Sequence, residues 1–487
     1  MKIRGKLKKK MKLTGLQLVN VPVNTVKMAI RQLGINSVVE YAEPNYFRYM
    51  NASDTGTYPD DSQFDNMWGL HNEGQTGGTA NADIDAPESW DITTGNPDMV
   101  VAVIDSGADM EHEDLAANIW TNPGEIPENG IDDDNNGYID DVHGWDFAHD
   151  DNDPSDTDAI CGGHGTHTAG TIGAVGNNGT GVTGINWDVQ VMPLKIFKQV
   201  FFFFCSTTSA DIIDAIEYAT TMGVRVSNNS YGGGPFSQAE YNAIRASDMV
   251  FVAAAGNEGR NNDTTPSYPA SYNLDNIIAV AATDHNDNLA SFSNYGNSVD
   301  IAAPGVNILS TTPYDTYDFF NGTSMASPHV AGAAGMLLGE NPQLTTREVK
   351  WNLLNGADDK GLPVLTGARL NLYNSLTMPE PVVTIDVSQS GSSVVHPGDM
   401  INYNVSIFNT STENWNVQVD VIAITPNGHE INLAGASVNL MAGESKDKDL
   451  NLNLSASLPE GDYRISGRAE VVGTSFDEDQ VTYSVVD

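Results

Sequence analysis

Cysteine is scarce in this chain. Cys161 and Cys205 are the only two among 487 residues, too few for a disulfide framework, and neither has a second thiol at the short spacing of a structural zinc site. They read as two free thiols, and any bound metal is expected to take oxygen ligands. Charged residues make up only 18% and no run of 18 or more residues is continuously apolar, so nothing reads as a membrane span. No apolar segment follows the lysines between Lys2 and Lys12, so this start does not read as a signal peptide, and a secreted form would begin upstream of it. Basic residues are few: 23 Lys and Arg stand against 64 Asp and Glu, for a formal charge of -41. Ten of the basic residues fall within residues 1–48, where Glu40 and Glu43 are the only acids. The remainder is strongly acidic. Such a surface repels nucleic acid and anionic membrane and attracts cations, and the basic head is either a solvated tail or a partner for the acidic body.

What is present suffices for one large core with smaller modules at either end, since 40% of the residues are hydrophobic. Patterning predicts a strand over residues 13–21, a short helix over 25–33 and a strand over 37–41, half of a small α+β module. The turn-rich stretch 51–61 marks a boundary. From about residue 83 to 377, apolar runs at 99–104, 189–196, 249–255 and 277–282 alternate with helical patterns at 210–222 and 238–247. This predicts a parallel α/β sheet covered on both faces, with ligands bound beyond the strands' carboxyl ends. After Pro379 the pattern changes to strict alternation, as in Ile401, Tyr403, Val405 and Ile407, with recurrent turn signals. About seven short strands fit, which predicts an immunoglobulin-like β-sandwich. The expected division is residues 1–54, 55–377 and 378–487.

Amide hydrolysis needs a nucleophile, a base, a carboxylate to hold the base, and donors for the oxyanion. Asp105 follows an apolar strand and precedes Ser106-Gly107, at a strand's carboxyl end. An isolated Asp there would as a rule be a cap or turn former. His164 sits in Gly162-Gly-His-Gly-Thr-His-Thr-Ala-Gly170, and no charged residue occurs from Gly162 to Trp187. So uncharged a helix is expected to be buried, which favours a neutral imidazole, with glycines on both sides admitting other backbone. Ser324 lies in Gly322-Thr-Ser-Met-Ala-Ser-Pro-His-Val-Ala-Gly332, at the start of a second uncharged helix. A serine there is usually just an N-cap, and Pro328 is read as tolerated in the first turn. Asn257 follows a strand through Gly256, and its amide could serve an oxyanion or be ordinary turn chemistry. His167 and His329 read as structural.

Together these segments, in the order Asp, His, Ser, resemble the three signatures of the subtilases over about residues 58–377, and that order is the one known for subtilisin. No Gly-x-Ser-x-Gly surrounds Ser324, which speaks against an esterase or lipase. The resemblance implies a subtilisin-like serine endopeptidase acting on polypeptides. In it Ser324 is the nucleophile, His164 the base and then acid, Asp105 its orienter, and Asn257 the oxyanion donor with the Ser324 backbone. It further implies cleft walls at Ser230, Tyr231 and Gly232 and at Ala254, Ala255 and Gly256, pairing with an extended peptide. Small walls with no acid predict broad cleavage favouring large apolar P1 residues. A catalytically silent fold used as a binding module is the competing reading.

Asp132-Asp-Asp-Asn-Asn-Gly137, with Asp140 and Asp141, has oxygen ligands at alternating positions before a glycine, as a calcium loop opens, but lacks the closing Glu of an EF-hand. It reads as a shorter loop of the calcium type or as an acidic surface turn; on the first reading the expected calcium ligands are Asp132, Asp134, Asn136, Tyr138, Asp140 and Asp141. The thermitase-like resemblance alone implies a second calcium site from Asp61, Asp114, Val175, Asn178, Thr180 and Val182. It also makes residues 13–49 the second half of a propeptide, a chaperone and inhibitor removed by self-cleavage within residues 49–59. A secreted monomeric zymogen is the expectation, binding neither nucleic acid nor membrane. The insertion Phe201-Phe-Phe-Phe-Cys205, in a loop that would border the cleft, and Cys161, three residues before His164, have no counterpart in that pattern.

Overall fold

The computed structural model describes residues 6–10, 17–20, 56–156, 161–200, 204–379, 381–390, 392–426, 429–455, 457–471 and 475–486. Two compact units divide it, residues 1–55 and 56–487. In the first, strands β1 (Lys6–Lys10) and β2 (Gln17–Asn20) pair antiparallel, Lys10 opposite Gln17. Part of the lysine run read as a solvated tail is therefore a strand; extended backbone is compatible with a run of like charges, which suits a sheet edge. The expected helix at 25–33 and strand at 37–41 lie outside the described residues.

The second unit is built on a nine-stranded sheet. In chain order its first strands are β3 (Gly95–Asp105), β4 (Trp145–Asp146) and β5 (Asp188–Lys195). A small hairpin follows, β6 (Lys198–Val200) with β7 (Phe204–Ser206). The sheet resumes with β8 (Val226–Asn229), β9 (Val250–Ala254), β10 (Ile277–Thr283) and β11 (Ile301–Pro304). A second hairpin, β12 (Ile308–Thr312) with β13 (Thr316–Phe320), precedes the short β14 (Asp358–Asp359) and β15 (Ala368–Arg369). The sheet order is β14-β15-β11-β10-β9-β8-β3-β5-β4, and every pair is parallel except β14 with β15.

Strands covered on both faces lose the polar alternation of a half-exposed sheet. Val101 and Val103 face one core, which contains helices α1 (Ala86–Trp90) and α2 (His164–Gly173). Ala102 and Ile104 face the other, with α3 (Ser209–Thr221) and α4 (Gln238–Ser247). Thr208 and Asp211 close a capping box on α3, which fixes its start. Helix α5 (Thr323–Glu340) carries no charge before Glu340 and is buried almost throughout, as its sequence predicts. Helices α6 (Thr346–Gly356) and α7 (Leu372–Leu376) complete this part. No described helix is long and apolar enough to cross a membrane.

Beyond residue 382 the described elements are all β: a three-stranded sheet and a five-stranded sheet enclose a separate core in which Ile401, Tyr403, Val405 and Ile407 are all buried. Among the described residues eight strands form it, several of them nine to eleven residues long, so they are longer and one more than expected. The sandwich meets α6 through ion pairs. Arg347 and Arg468 both reach Glu430 and the buried Glu478, and Ser466 also donates to Glu478. Desolvation opposes the Glu478 charge, but the two guanidinium groups outweigh it and hold the carboxyl below its usual range.

The two cysteines are not free thiols. Cys161 and Cys205, 44 residues apart, form a disulfide. Nothing in their spacing could reveal this, because the pairing depends on where the sheet places the β6–β7 hairpin. Arg468→Ala, leaving Glu478 with Arg347 and the Ser466 hydroxyl, should lower stability by about 3 kcal/mol in a denaturant titration at neutral pH, because a buried charge loses its closer cation.

Candidate active site

Asp105 ends β3 and is 1% exposed. Its Oδ1 accepts from the Ser106 amide at 2.7 Å and from His164 Nδ1, also at 2.7 Å. A carboxylate only accepts, so Nδ1 carries the proton and Nε2 is left toward the cleft. His164 opens α2, whose remaining residues are buried, yet its own side chain is 37% exposed. A Cβ at Gly165 would lie 2.0 Å from the Gly107 carbonyl oxygen, so only glycine lets this helix start pass so close to the end of β3.

The expectation that burial sets the His164 charge state is corrected here. Desolvation does oppose the imidazolium, but the charge and hydrogen bond of Asp105, with the charge of Asp156, hold the pKa above its ordinary value. Asp156 escaped the sequence reading. Fully buried, it accepts from the Gly163 and Thr166 amides and the Thr166 hydroxyl, capping α2 from outside the helix. Burial pushes its carboxyl up to about 7 despite those bonds. The only signal for it was an acid eight residues before His164, among many acids.

Ser324 is the second residue of α5. Its hydroxyl donates to the Ser230 carbonyl at 3.2 Å, and no hydrogen bond joins it to His164. Pro328 is the sixth residue of α5 and so does not lie in the first turn as expected. It cannot donate to the Ser324 carbonyl one turn back, and the Ser230 hydroxyl does so instead at 2.8 Å. The Asn257 Oδ1 accepts from the amide (2.9 Å) and hydroxyl (3.0 Å) of Thr323, and the Thr323 hydroxyl oxygen also accepts from the Gly256 amide. Thr323, also missed, thereby fixes which end of the Asn257 amide is free to donate. Two donors flank one space: a Cβ at Gly322 would lie 3.5 Å from Ser324 N and 3.6 Å from Asn257 Nδ2. His164, Asn257 and Ser324 line one cleft of about 470 Å³ with Phe319, Phe320, Asn321 and Met325.

Of the expected walls, Ser230 touches Ser324 directly. Tyr231 turns its ring into the core and donates from its hydroxyl to Asn229, leaving only its backbone for a ligand, and Gly232 is exposed. Ala254 and Ala255 are buried behind Gly256. His167 and His329 are structural: they bond the Ile308 and Met325 carbonyls, and burial depresses them to about 3 and about 4.

The acidic loop is brought together differently from its sequence spacing. Ligand oxygens of Glu125, Asp134 and Asp141 lie within 4.8 Å of one another. Glu125 was missed because it lies outside the alternating run. It is 8% exposed, and its Oε2 is buried without a partner. Asn136 bonds Asp134 and Asp141, whereas Asp132 and Asp140 turn to backbone amides and the Tyr138 ring packs against Trp145, Phe147 and Tyr218. At the second expected site, Asp114 accepts from Asn178 and Val182, its carbonyl accepts from Val175, and Thr180 donates to Asn178. Asp61 accepts from Asn177, and its other oxygen is buried and unpartnered. Each cluster thus keeps one orphaned carboxylate oxygen, which suits a hard cation.

The subtilase family matches residues 96–372. A thermophilic serine proteinase from a Bacillus species is 36% identical over 359 residues, 73% of this chain and 77% of that protein. Thermitase from Thermoactinomyces vulgaris is 38% identical over 257 residues, 52% of this chain and 79% of its own. A solved protease structure from Pseudoalteromonas arctica superposes with a TM-score of 0.51 at 30% identity, covering 66% of this chain and 99% of that one. The chain belongs to the subtilase family. It is a serine endopeptidase, and its substrates are polypeptides.

Thr323→Val, which leaves the Asn257 Oδ1 held by the residue 323 amide without the hydroxyl, should lower kcat by up to about tenfold with little change in KM, the worth of one hydrogen bond, in steady-state kinetics. Asp156→Asn removes a negative charge that raises the His164 pKa. The acid limb of its kcat/KM profile should therefore move to lower pH, since more acid is then needed before His164 is protonated, and the move is small because the Asp156 carboxyl, pushed up to about 7, is itself largely neutral along that limb.

Proposed function

We propose that Ser324 attacks the scissile carbonyl while His164 takes its proton, and that Asp105 holds the imidazole in the required tautomer and favours its charged form. The convergence of the Asp105–His164 pair, Ser324 and the two oxyanion donors on one cleft carries this reading. A turn about the Ser324 Cα–Cβ bond would exchange its Ser230 hydrogen bond for one to His164 Nε2, and such bonds are often loose before substrate binds. The Ser324 amide and Asn257 Nδ2 would receive the oxyanion at the start of α5, where the helix dipole also favours negative charge. His164 then returns its proton to the leaving amine, and water releases the acyl group by the same steps in reverse.

The substrate would lie extended between the backbones of Ser230 to Gly232 and Ala254 to Gly256. Small, uncharged walls favour broad cleavage after large apolar residues. Calcium would be held by Glu125, Asp134 and Asp141 and, separately, by Asp61, Asp114 and the loop of Val175, Asn178, Thr180 and Val182, giving stability to the fold. The disulfide supports a secreted location. We read residues 1–54 as a partial propeptide and linker, 55–377 as the peptidase and 378–487 as an attached sandwich, in a monomer. The competing reading, a silent binding module, gains nothing from an intact Asp105–His164 pair.

Release of peptides from casein in calcium should be abolished in Ser324→Ala, by at least about 10⁴-fold. Asn257→Ala should lose about 10²–10³ in kcat, the figure known for such a donor in a subtilisin. A parent as inert as Ser324→Ala, even after removal of residues 1–50, would favour the binding module. Chelation should lower Tm, and free calcium at about 100 times Kd should restore about 2.7 kcal/mol per site. Glu125→Gln and Asp61→Asn should each delete one site; a Tm indifferent to calcium would reduce both to hydrogen-bonded acidic turns.

A further inference from the structure

Two features that the peptidase chemistry leaves over, Cys161 and the insertion ending in Phe204-Cys205, meet in the fold as a disulfide. Its surroundings connect it to the active site on two sides. Strand β5 ends at Lys195, in register with Asp105, and the Ile196 amide donates to the Asp105 carbonyl. Next, the Phe197 ring meets the Tyr231 ring edge-on at 6.4 Å, and Tyr231 adjoins Ser230, the partner of Ser324. The β6–β7 hairpin follows at once, Lys198 opposite Ser206 and Val200 opposite Phe204. It is therefore rooted between the Asp105 strand and the Ser230 wall.

Strands of three residues make a hairpin that is marginal by itself. Phe204 is 68% exposed, and Cys205 and Ser206 are exposed as well, so β7 has no core to hold it. Lys198 Nζ donates to the Ala148 carbonyl at the base of β6, and on β7 Cys205 is bonded to Cys161. Cys161 is buried and lies three residues before His164, next to the segment whose Gly163 amide is held by Asp156. One covalent bond thus joins the hairpin to the backbone that introduces the catalytic base.

We propose that the Cys161–Cys205 disulfide is a positioning element that makes the β6–β7 hairpin a rigid wall of the cleft, on which capture of long polypeptides, but not cleavage itself, depends. The proposal rests on the reading of His164 and Ser324 as the reacting groups. A wall fixed before binding spares the substrate the entropy of ordering it, so the gain falls on residues that extend past the scissile bond along the hairpin. Reduction releases the wall. A dithiol such as dithiothreitol supplies two electrons, the S–S bond breaks, each sulfur ends as a thiol with one proton, and the reductant closes to a cyclic disulfide.

The test compares the full chain with the Cys161→Ser/Cys205→Ser variant in calcium, on phenylalanine p-nitroanilide and on a tetrapeptide p-nitroanilide ending in the same residue. The tetrapeptide KM should rise about five- to tenfold with kcat within twofold, while kcat/KM for the single residue changes less than twofold. Dithiothreitol should reproduce this in the parent and do nothing to the variant. Equal losses on both substrates, or none on either, would overturn the proposal. Deuterium uptake of residues 198–206 in Ser324→Ala, oxidised against reduced, gives an answer independent of turnover. Faster exchange after reduction supports the tether and unchanged exchange refutes it, whereas a parent inert on both substrates counts against the peptidase assignment alone.

Discussion

The site depends on one constraint, the burial of helix α5 against the middle of the parallel sheet. With no charge before Glu340 the helix has no side that prefers water, so its position is fixed from all directions. The proposed reacting groups are referenced to its first turn. Thr323 fixes the Asn257 amide and the Gly256 backbone, Ser230 takes the place of the amide hydrogen that Pro328 lacks, and Ser324 stands between them. A serine on a mobile loop could share the same chemistry but not the same preorganised donors, and preorganisation is what lets fixed dipoles stabilise a developing oxyanion.

Around this apolar centre, carboxylates are put to several different uses. Asp105 orients His164, Asp156 caps the helix that carries His164 and adds to its field, and Glu478 is held charged by two arginines where the sandwich meets α6. Glu125 and Asp61 keep a buried oxygen without a protein partner, as Asp105 and Asp156 also do, but they stand beside further carboxylates. In a chain with 64 acidic residues the sign of the charge says little about role; the donors around each carboxylate do.

Much of the fold was legible because its periodicities are local. The runs at 99–104 and 277–282 became β3 and β10, and the helical pattern at 238–247 became α4 with the same limits. The alternation around Ile401 to Ile407 became a buried sandwich face. Asp105, His164, Ser324 and Asn257 were legible as long glycine-rich motifs, since close backbone approach leaves a dense local record. Thr323 was hidden inside one of those motifs, because its role depends on meeting a residue 66 positions away.

By itself the sequence determined the α/β and all-β classes, the family, the motifs that hold the four proposed reactive residues and the acidic surface, because each follows from local pattern or from composition. Only the tertiary structure decided which partners those residues meet. It paired two cysteines 44 residues apart, set Glu125, and not Asp132 or Asp140, beside Asp134 and Asp141, put Asp156 close to His164 and gave Ser230 the carbonyl that Pro328 leaves unpaired. Those outcomes turn on distances between segments far apart in the chain, which are set by how the sheet orders its strands and not by any neighbouring residue.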